Sequence, residues 1–247
     1  MLSAKEISKI YGKQVALSNV SLDIDRGEFV AIMGPSGSGK STLLNLMAGI
    51  DKPSNGQIKI NNIDINNYKN KDLELYRQKQ MGFIFQEYHI LNSLNVYENI
   101  ALPLVIQKIS KQDINERITK VAAELDITLL LKKSPYQLSG GEKQRVAIAR
   151  ALVTKPLIIF ADEPTGSLDS KNAHNLLKML SYQNETNAIT MMMVTHDPFS
   201  ASFASKVIFI KDGKLYHTIT RGDLSRKVFY DEVIKVTTLL GGDFDAD

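Results

Sequence analysis

Three absences limit what this sequence can encode. The 247-residue chain contains no cysteine, which excludes a disulfide scaffold and a thiolate metal site and fits a reducing cytosol. No apolar run approaches the roughly 18 residues that a membrane-spanning helix needs. The N-terminus also lacks the basic and apolar pattern of a signal peptide. If this protein works at a membrane, we expect a partner to hold it there.

The charge pattern argues against nucleic acid as a partner. The net charge is only +3, and basic residues cluster no further than pairs such as Lys132-Lys133. Nucleic-acid-binding domains instead concentrate basic residues on one face or along one helix. The hydrophobic content of 43% and charged content of 23% are typical of a globular protein. A chain of this length can form one substantial α/β domain.

The most informative stretch of the chain is a glycine-rich loop that fits the pattern G-x-x-x-x-G-K-[ST]. An apolar run at residues 29–33 precedes it and predicts a buried strand, while the apolar residues that follow it have helical spacing. In that context the pattern indicates a loop whose backbone N–H groups surround phosphates. The loop consists of Gly34, Pro35, Ser36, Gly37, Ser38, Gly39, Lys40, Ser41 and Thr42.

Each residue type in this loop has a physical role. Its glycines allow backbone conformations that other residues rarely adopt, and the helix that begins near Lys40 presents its positive end to an anion. Lys40 can reach the outer phosphates, and the Ser41 hydroxyl can hold Mg²⁺. An ordinary glycine-rich turn is the alternative. We therefore predict a site for a nucleoside triphosphate, with ATP and Mg²⁺ as the expected ligands.

Two consecutive carboxylates, Asp162 and Glu163, end a second apolar run at residues 157–161. Such a pair is costly at the exit of a buried strand unless a positive charge lies nearby. Asp162 is predicted to orient the metal ion, and Glu163 is predicted to polarise the attacking water. The alternative is a pair of solvated turn carboxylates, but the phosphate-binding loop elsewhere in the chain favours the catalytic interpretation.

The order of strand and helix patterns predicts an α/β fold. Residues 1–33 have strand patterns, and Met81–Phe85 is a further short strand. Residues 93–131 have helical spacing, with Pro103 expected to kink or end its helix. From residue 157 onward strands alternate with helices, which indicates a mainly parallel sheet covered on both faces. The helices between these strand-rich parts predict an inserted helical subdomain at about residues 87–155.

A second glycine-rich helix start lies at Leu138-Ser139-Gly140-Gly141-Glu142. Ser139 is a favourable N-cap, and the free amides behind it form another anion site. With the following residues 143–152, this stretch resembles the signature motif of ATP-binding-cassette (ABC) ATPases. In that family the signature of one subunit contacts the γ-phosphate bound by the other. Glu142 stands where many members carry Gln, which should not impair the contact through Ser139 and the glycines.

The resemblance covers nearly the whole chain and implies further roles. The position of Tyr11 resembles that of the aromatic residue that stacks on adenine, although a lone tyrosine at the end of a strand is more often a core residue. Gln86 resembles the glutamine that contacts Mg²⁺ or water and faces the transport partner. Ser167-Leu168-Asp169 resembles the D-loop. His196 resembles the switch histidine that hydrogen-bonds the γ-phosphate, although a lone histidine after a strand is often structural.

The family resemblance also implies the architecture and the partners. We expect a P-loop NTPase fold with a mainly parallel core sheet, an N-terminal antiparallel β-subdomain and an inserted helical subdomain. Residues 1–220 would form the nucleotide-binding domain and residues 221–247 a C-terminal helical extension. The expected partners are a second copy of the chain, in a two-fold dimer with two ATP molecules, and an integral membrane permease.

A narrower resemblance concerns the biological role. Residues 162–171 and 193–198 are similar to the branch that includes macrolide exporters and lipoprotein-release ATPases. The ending, with Arg221-Gly222-Asp223, Phe229-Tyr230 and Leu239-Leu240-Gly241-Gly242, resembles ATPases of bacitracin-type peptide-antibiotic resistance transporters. This implies a peripheral protein on the cytoplasmic face of the bacterial membrane, with a link through the permease to a sensor histidine kinase. A lipoprotein-release, macrolide-export or cell-division ATPase is the alternative.

Two further points follow from the residues themselves. Phe229, Val233, Val236 and Leu240 form one apolar stripe, which either packs on its own domain or contacts a dimer partner or permease. DNA-repair and chromosome-structure cassettes are disfavoured because no heptad run separates the phosphate-binding loop from the signature.

Overall fold

The computed structural model describes residues 1–241, which form ten β-strands and eight α-helices. The strands are β1 (Leu2–Tyr11), β2 (Gln14–Ile24), β3 (Phe29–Met33), β4 (Asn55–Ile60), β5 (Ile63–Asp64), β6 (Met81–Phe85), β7 (Ile158–Asp162), β8 (Thr190–Val194), β9 (Lys206–Lys211) and β10 (Lys214–Thr220). The helices are α1 (Lys40–Met47), α2 (Asn70–Gln80), α3 (Val96–Ile106), α4 (Lys111–Glu124), α5 (Gly140–Leu152), α6 (Ser170–Asn187), α7 (Pro198–Ala201) and α8 (Arg226–Gly241).

The N-terminal part forms a four-stranded antiparallel sheet in the order β2-β1-β4-β5. Along β2, the buried residues Val20, Leu22 and Ile24 alternate with exposed ones, because successive side chains of a strand point to opposite faces. The predicted antiparallel β-subdomain is confirmed.

A six-stranded sheet, in the order β10-β9-β3-β8-β7-β6, forms the centre of the molecule. All its pairings are parallel except that of β9 with β10, so the predicted mainly parallel sheet is confirmed. The inner strands β3 and β8 consist of buried residues, as expected when helices cover both faces. The carboxyl ends of parallel strands share one edge, which is where ligands bind in such folds.

Three helices, α3, α4 and α5, lie in the chain between the neighbouring strands β6 and β7. The apolar face of α4 is buried, with Ile114, Ile118 and Val121 among its core residues. Pro103 does not end α3 at its own position, because the helix continues to Ile106. The missing proline N–H removes one bond near the helix end, and burial of Ile100 and Leu104 on either side holds this turn in place.

The C-terminal helix α8 packs on its own domain. Phe229, Val233 and Leu240 are buried in the same core as residues of the parallel sheet, and Val236 packs against them. A contact with α7 anchors the helix to the segment that follows β8. The predicted ending extends to Gly242, which lies outside the described residues. Between residues 1 and 241, no helix is both long and apolar enough to cross a membrane.

Candidate functional site

The glycine-rich loop connects β3 to α1 and depends on its glycines for two different reasons. Gly37 and Gly39 have φ of +76° and +101°, conformations that strain residues with a side chain. A Cβ atom on Gly34 would lie 2.1 Å from the carbonyl oxygen of Ile210, and one on Gly39 would lie 2.5 Å from that of Ala16. The loop is therefore packed tightly against the neighbouring backbone, which fixes the direction of its N–H groups.

Lys40 is buried at the start of α1 and curls over the loop. Its Nζ donates hydrogen bonds to the carbonyl oxygens of Gly34 at 2.9 Å and Pro35 at 2.8 Å. Burial lowers the pKa of Lys40, while the nearby Glu163 and Asp162 carboxylates act to raise it. A bound phosphate would offer this ammonium group a stronger, charged acceptor than the two carbonyls.

A cavity of about 490 Å³ opens beside Lys40, a size that suits a small-molecule ligand. Gly34, Glu163 and His196 line it. The Ser38 hydroxyl of the loop is buried without a hydrogen-bond partner among residues 1–241. Because buried polar groups nearly always have partners, this hydroxyl and the tight glycine backbone fit a loop that receives an oxygen-rich ligand such as a phosphate.

Ser41 and Asp162 meet at the edge of this site. The Ser41 Oγ donates to Asp162 Oδ1 at 3.3 Å. Burial raises the pKa of Asp162, and the Glu163 charge acts in the same direction, against the Ser41 hydrogen bond and Lys40. A hydroxyl and a carboxylate are oxygen ligands of the type that Mg²⁺ binds together with water and substrate phosphates. These residues therefore fit the predicted metal position.

Gln86, the third predicted metal contact, directly follows β6, the strand that pairs with β7. Its amide is close to Gly166, where an added Cβ would lie 3.0 Å from Nε2. The backbone oxygen of Gln86 accepts a hydrogen bond from Ser167 Oγ at 3.2 Å. No hydrogen bond between described residues joins the Gln86 side chain to Ser41 or Asp162. The metal role of Gln86 stays a prediction.

Glu163 and His196 form a close side-chain contact in the site. His196 Nδ1 lies 2.7 Å from Glu163 Oε2. Glu163 has a φ of +48°, an uncommon conformation for a residue with a side chain, and its N–H bonds the carbonyl of Val194 at 3.0 Å. This turn directs the Glu163 side chain into the cavity that Lys40 also lines. The predicted nucleophile-activating and phosphate-binding residues are thus brought together.

The signature stretch is a capping box at the start of α5. Glu142 N–H donates to Ser139 Oγ at 3.3 Å, and the Glu142 carboxylate accepts from the Ser139 N–H at 2.7 Å. These bonds to Ser139 lower the pKa of Glu142. The glutamate at this position therefore stabilises the helix start. No signature residue is among the described residues that line the cavity of Lys40, so the two predicted phosphate-binding elements are separate within one chain.

Comparisons with known proteins identify the family to which the chain belongs. The family model described as ABC transporter matches residues 17–166, which include the glycine-rich loop, the signature and the Asp162-Glu163 pair. The chain belongs to the ABC transporter family. It is an ATPase of that family.

Individual ABC proteins resemble the chain over almost its whole length. It is 50% identical to the bacitracin export ATP-binding protein BceA of Halalkalibacterium halodurans, over 98% of this chain and 97% of that protein. It is 42% identical to the macrolide export ATP-binding/permease protein MacB of Campylobacter jejuni, over 87% of this chain and 33% of that larger protein.

Among solved structures, the ABC chain is similar to the cassette MJ0796 of Methanocaldococcus jannaschii. That structure is a dimer in a post-hydrolysis state with ADP and Pi, and it matches with a TM-score of 0.82 and 39% identity. The match covers 91% of this chain and 99% of that chain. The fold class predicted from the sequence is confirmed.

The predicted D-loop is linked to the signature helix through Asn172 of α6. Asp169 is the N-cap of α6 and accepts a hydrogen bond from the Asn172 N–H at 2.9 Å. Asn172 in turn lies against Gly141, where an added Cβ would be 2.8 Å from Asn172 Oδ1. The neighbouring Ser167 bonds the backbone of Gln86, and Leu168 packs against the core. The D-loop therefore connects the glutamine after β6 to the signature.

Tyr11 is not a core tyrosine, since it is 47% exposed. Its hydroxyl donates to Asp51 Oδ2 at 2.7 Å. The sequence reasoning missed Asp51, because Ile50-Asp51-Lys52-Pro53 has the composition of a turn and nothing in it indicates a contact with residue 11.

The sequence also did not indicate two other contributions to the site. Gln144 is buried in α5, and its Nε2 donates to the Pro164 carbonyl at 2.8 Å, so the signature helix is bonded to the segment next to Glu163. Thr237 and Leu240 of α8 line the cavity beside Lys40. The helical stripe of α8 predicted its burial, but only the tertiary structure places its end at the site.

Proposed function

We propose that this protein is the ATP-binding and ATP-hydrolysing subunit of a transporter, and that it powers a separate membrane permease. The single observation that carries the proposal is the convergence of Lys40, Glu163 and His196 on one cavity at the strand ends. The Ser41–Asp162 pair at the edge of that cavity supports it. We also propose a nucleotide-binding domain at residues 1–220, with the helical subdomain at about 87–155 inserted, and an extension at 221–247.

The main contacts to a bound triphosphate would come from backbone N–H groups. The N–H groups between Gly34 and Thr42 surround the phosphates, and the start of α1 adds its partial positive charge. Lys40 exchanges its carbonyl partners for phosphate oxygens. Mg²⁺, when bound by Ser41 and Asp162, would neutralise charge on the β- and γ-phosphates.

Hydrolysis would use the Glu163–His196 pair. Glu163 accepts a proton from the attacking water, which requires a carboxylate held at a fixed orientation. His196 provides that orientation by donating its Nδ1–H to Oε2. In its imidazolium form, the same ring offers a second N–H to a phosphate oxygen. Gln86, at the end of β6, is proposed to contact the metal ion or water once the site closes.

A second copy of the chain would complete each site. The signature residues Leu138, Ser139, Gly140, Gly141 and Glu142 would contact the ATP of the partner copy, with Ser139 and the glycines as donors. Two observations support this. The signature is apart from the cavity of Lys40 in one chain, and the similar cassette MJ0796 is described as a dimer. ATP would then favour the closed dimer, because only that state completes the γ-phosphate contacts.

For the biological role we propose bacterial resistance to peptide antibiotics of the bacitracin or lantibiotic type. The similarity to the bacitracin export ATP-binding protein over the whole chain supports this, and with it a peripheral position on the cytoplasmic face of the membrane. The similarity to a macrolide export protein favours the second candidate, a macrolide-export or lipoprotein-release ATPase of the same branch. The link to a sensor histidine kinase stays a prediction without support from these relatives.

Deletion and complementation in the source organism test this role. Cells without the gene are exposed to bacitracin, nisin and erythromycin, and then complemented with the wild-type gene or the Glu163→Gln variant. Increased sensitivity to the peptides that only the wild-type gene reverses is expected. Sensitivity to erythromycin alone would favour the second candidate, and unchanged sensitivity to all three would overturn the antibiotic role. Co-purification of a permease from detergent extracts tests the transporter assignment separately.

A further inference from the structure

Lys9, Tyr11 and Asp51 form a closed network at the end of β1. The Tyr11 hydroxyl donates to Asp51 Oδ2 at 2.7 Å, and Lys9 Nζ lies 2.7 Å from Asp51 Oδ1. The same Nζ lies over the Tyr11 ring, 4.8 Å from the ring centroid. Lys9 also donates to the Lys52 carbonyl at 2.7 Å. The three side chains are therefore each fixed by the other two.

The network fixes the Tyr11 ring, although that ring is about half exposed. Only 12% of the Lys9 side chain and 34% of the Asp51 side chain are exposed, whereas Tyr11 is 47% exposed. Burial alone would raise the pKa of Asp51, but hydrogen bonds from Lys9, Tyr11 and the Lys52 N–H hold it below its ordinary value. The bond to Asp51 raises the pKa of Tyr11. The carboxylate thus stays an acceptor and the phenol stays a donor at neutral pH.

The position of Asp51 relates this network to the phosphate-binding loop. Asp51 follows α1, the helix that begins at Lys40, and its N–H bonds the carbonyl of Asn45 in that helix at 3.2 Å. The orientation of the Tyr11 ring is consequently tied to the segment that follows the helix proposed to bind the phosphates.

We propose that Asp51 and Lys9 are positioning residues for adenine binding. They hold the Tyr11 ring so that the Lys9 ammonium covers one face and the opposite face is left to stack on the purine. The inference rests on the proposed ATP binding, together with the role in adenine stacking that the family resemblance implies for Tyr11. An unrestrained tyrosine at a strand end would have to be ordered on each binding event, and ordering one such side chain weakens binding by about two- to tenfold.

Calorimetric affinities for ATP and for inorganic tripolyphosphate test the proposal, in full-length protein carrying Glu163→Gln to prevent turnover. Asp51→Ala, Lys9→Met and Tyr11→Phe are each expected to weaken ATP binding by about two- to tenfold. Tripolyphosphate binding should be unchanged, because that probe has no base to stack. The double variant Asp51→Ala/Tyr11→Phe should be no weaker than Asp51→Ala alone, since that variant already lacks the Tyr11–Asp51 bond. Asp23→Ala and Lys5→Ala, which change exposed residues near the other end of β1, are the matched controls.

Each other outcome contradicts a defined part of the proposal. If Tyr11→Ala weakens ATP binding and Asp51→Ala does not, the positioning role is wrong while the adenine contact stands. If Tyr11→Ala leaves ATP affinity unchanged, the adenine contact and its positioning residues are both wrong. Equal weakening of ATP and tripolyphosphate by Asp51→Ala would assign the network to folding alone. Should Asp51→Ala fail to fold, Tyr11→Phe decides the question, because it keeps the Lys9–Asp51 ion pair.

Discussion

His196 Nδ1 and Glu163 Oε2 are 2.7 Å apart, although 33 residue numbers separate them in the chain. They meet because β7 and β8 are parallel neighbours, with Asp162 paired to Val194 at their carboxyl ends. Each residue follows the end of its strand. The proposed general base and the group proposed to orient it would thereby be supplied by adjacent strands of the central sheet.

We expect Glu163→Gln to bind ATP with near-normal affinity and to hydrolyse it at least about 100-fold more slowly, because the proposed general base is lost. His196→Ala should also slow hydrolysis. Because the two residues act as a unit, the double variant should be little worse than Glu163→Gln alone. Phosphate release under saturating ATP measures all three. Wild-type turnover by Glu163→Gln would remove Glu163 from its role, and fully multiplicative losses would argue against a coupled pair.

Lys40→Ala should weaken ATP binding by about 2–5 kcal/mol, the usual result of removing one partner of a buried, hydrogen-bonded charge pair. Calorimetry with ATP measures the loss, and Lys79→Ala, which changes an exposed lysine on α2, is the control. The melting temperature without nucleotide shows whether the variant is folded. A folded Lys40→Ala variant with unchanged affinity would contradict the assignment of the phosphate-binding loop.

Asp162→Asn should stabilise the nucleotide-free protein at neutral pH while weakening its Mg²⁺-dependent ATP binding. Burial raises the pKa of Asp162 above the value of about 3.9 that an unfolded chain has. The ionised side chain is therefore destabilising in the folded state, and stability falls as the pH rises through the folded pKa. Below the unfolded pKa both states are protonated, so the advantage of the asparagine should disappear there.

Thermal melting measures the difference in stability between Asp162→Asn and wild type, from below the unfolded pKa of about 3.9 up to neutral pH. Asp23→Asn changes an exposed residue and is the control. A variant that is less stable than wild type at neutral pH would show that Asp162 contributes more through its bond to Ser41 than burial takes away.

Gly39→Ala and Gly37→Ala should differ in their effects on folding. Both positions have positive φ, which destabilises an alanine by about 1–2 kcal/mol. A Cβ at position 39 would also meet the backbone oxygen of Ala16 at 2.5 Å, whereas one at position 37 would have nothing within 4 Å. Urea unfolding should therefore show a larger loss for Gly39→Ala. Equal losses would mean that the backbone around Ala16 moves easily.

The sequence predicted the parts of the fold that local patterns determine. The strand Met81–Phe85 has the predicted bounds, because a short buried run is marked on both sides by polar residues. The buried face of α4 was predicted correctly, because a helix with one apolar stripe must bury that stripe. The strand β10 was not predicted. Most of its residues are exposed, and it therefore lacks the alternation that identifies a half-buried strand.

The candidate site residues could be predicted where the residues of one function are contiguous in the sequence. The residues from Gly34 to Thr42 and the Asp162-Glu163 pair are contiguous, so their types and spacing indicate their roles. Contacts that depend on the tertiary fold could not be predicted from the sequence. The bond between Tyr11 and Asp51 joins two segments through the packing of β1 on the loop after α1, and the positive φ of Glu163 has no sequence signal. The place of Leu240 at the cavity depends on how α8 packs against the core.

The central claim is that neither copy holds a complete hydrolytic site. Analytical ultracentrifugation of Glu163→Gln measures it most directly, with and without ATP, beside the double variant Glu163→Gln/Ser139→Arg. We expect ATP to convert the 27.5 kDa monomer into a species of twice that mass, and the arginine at position 139 to prevent this by blocking the signature contact. A Glu163→Gln protein that is saturated with ATP and stays monomeric, even with its permease present, would contradict the account.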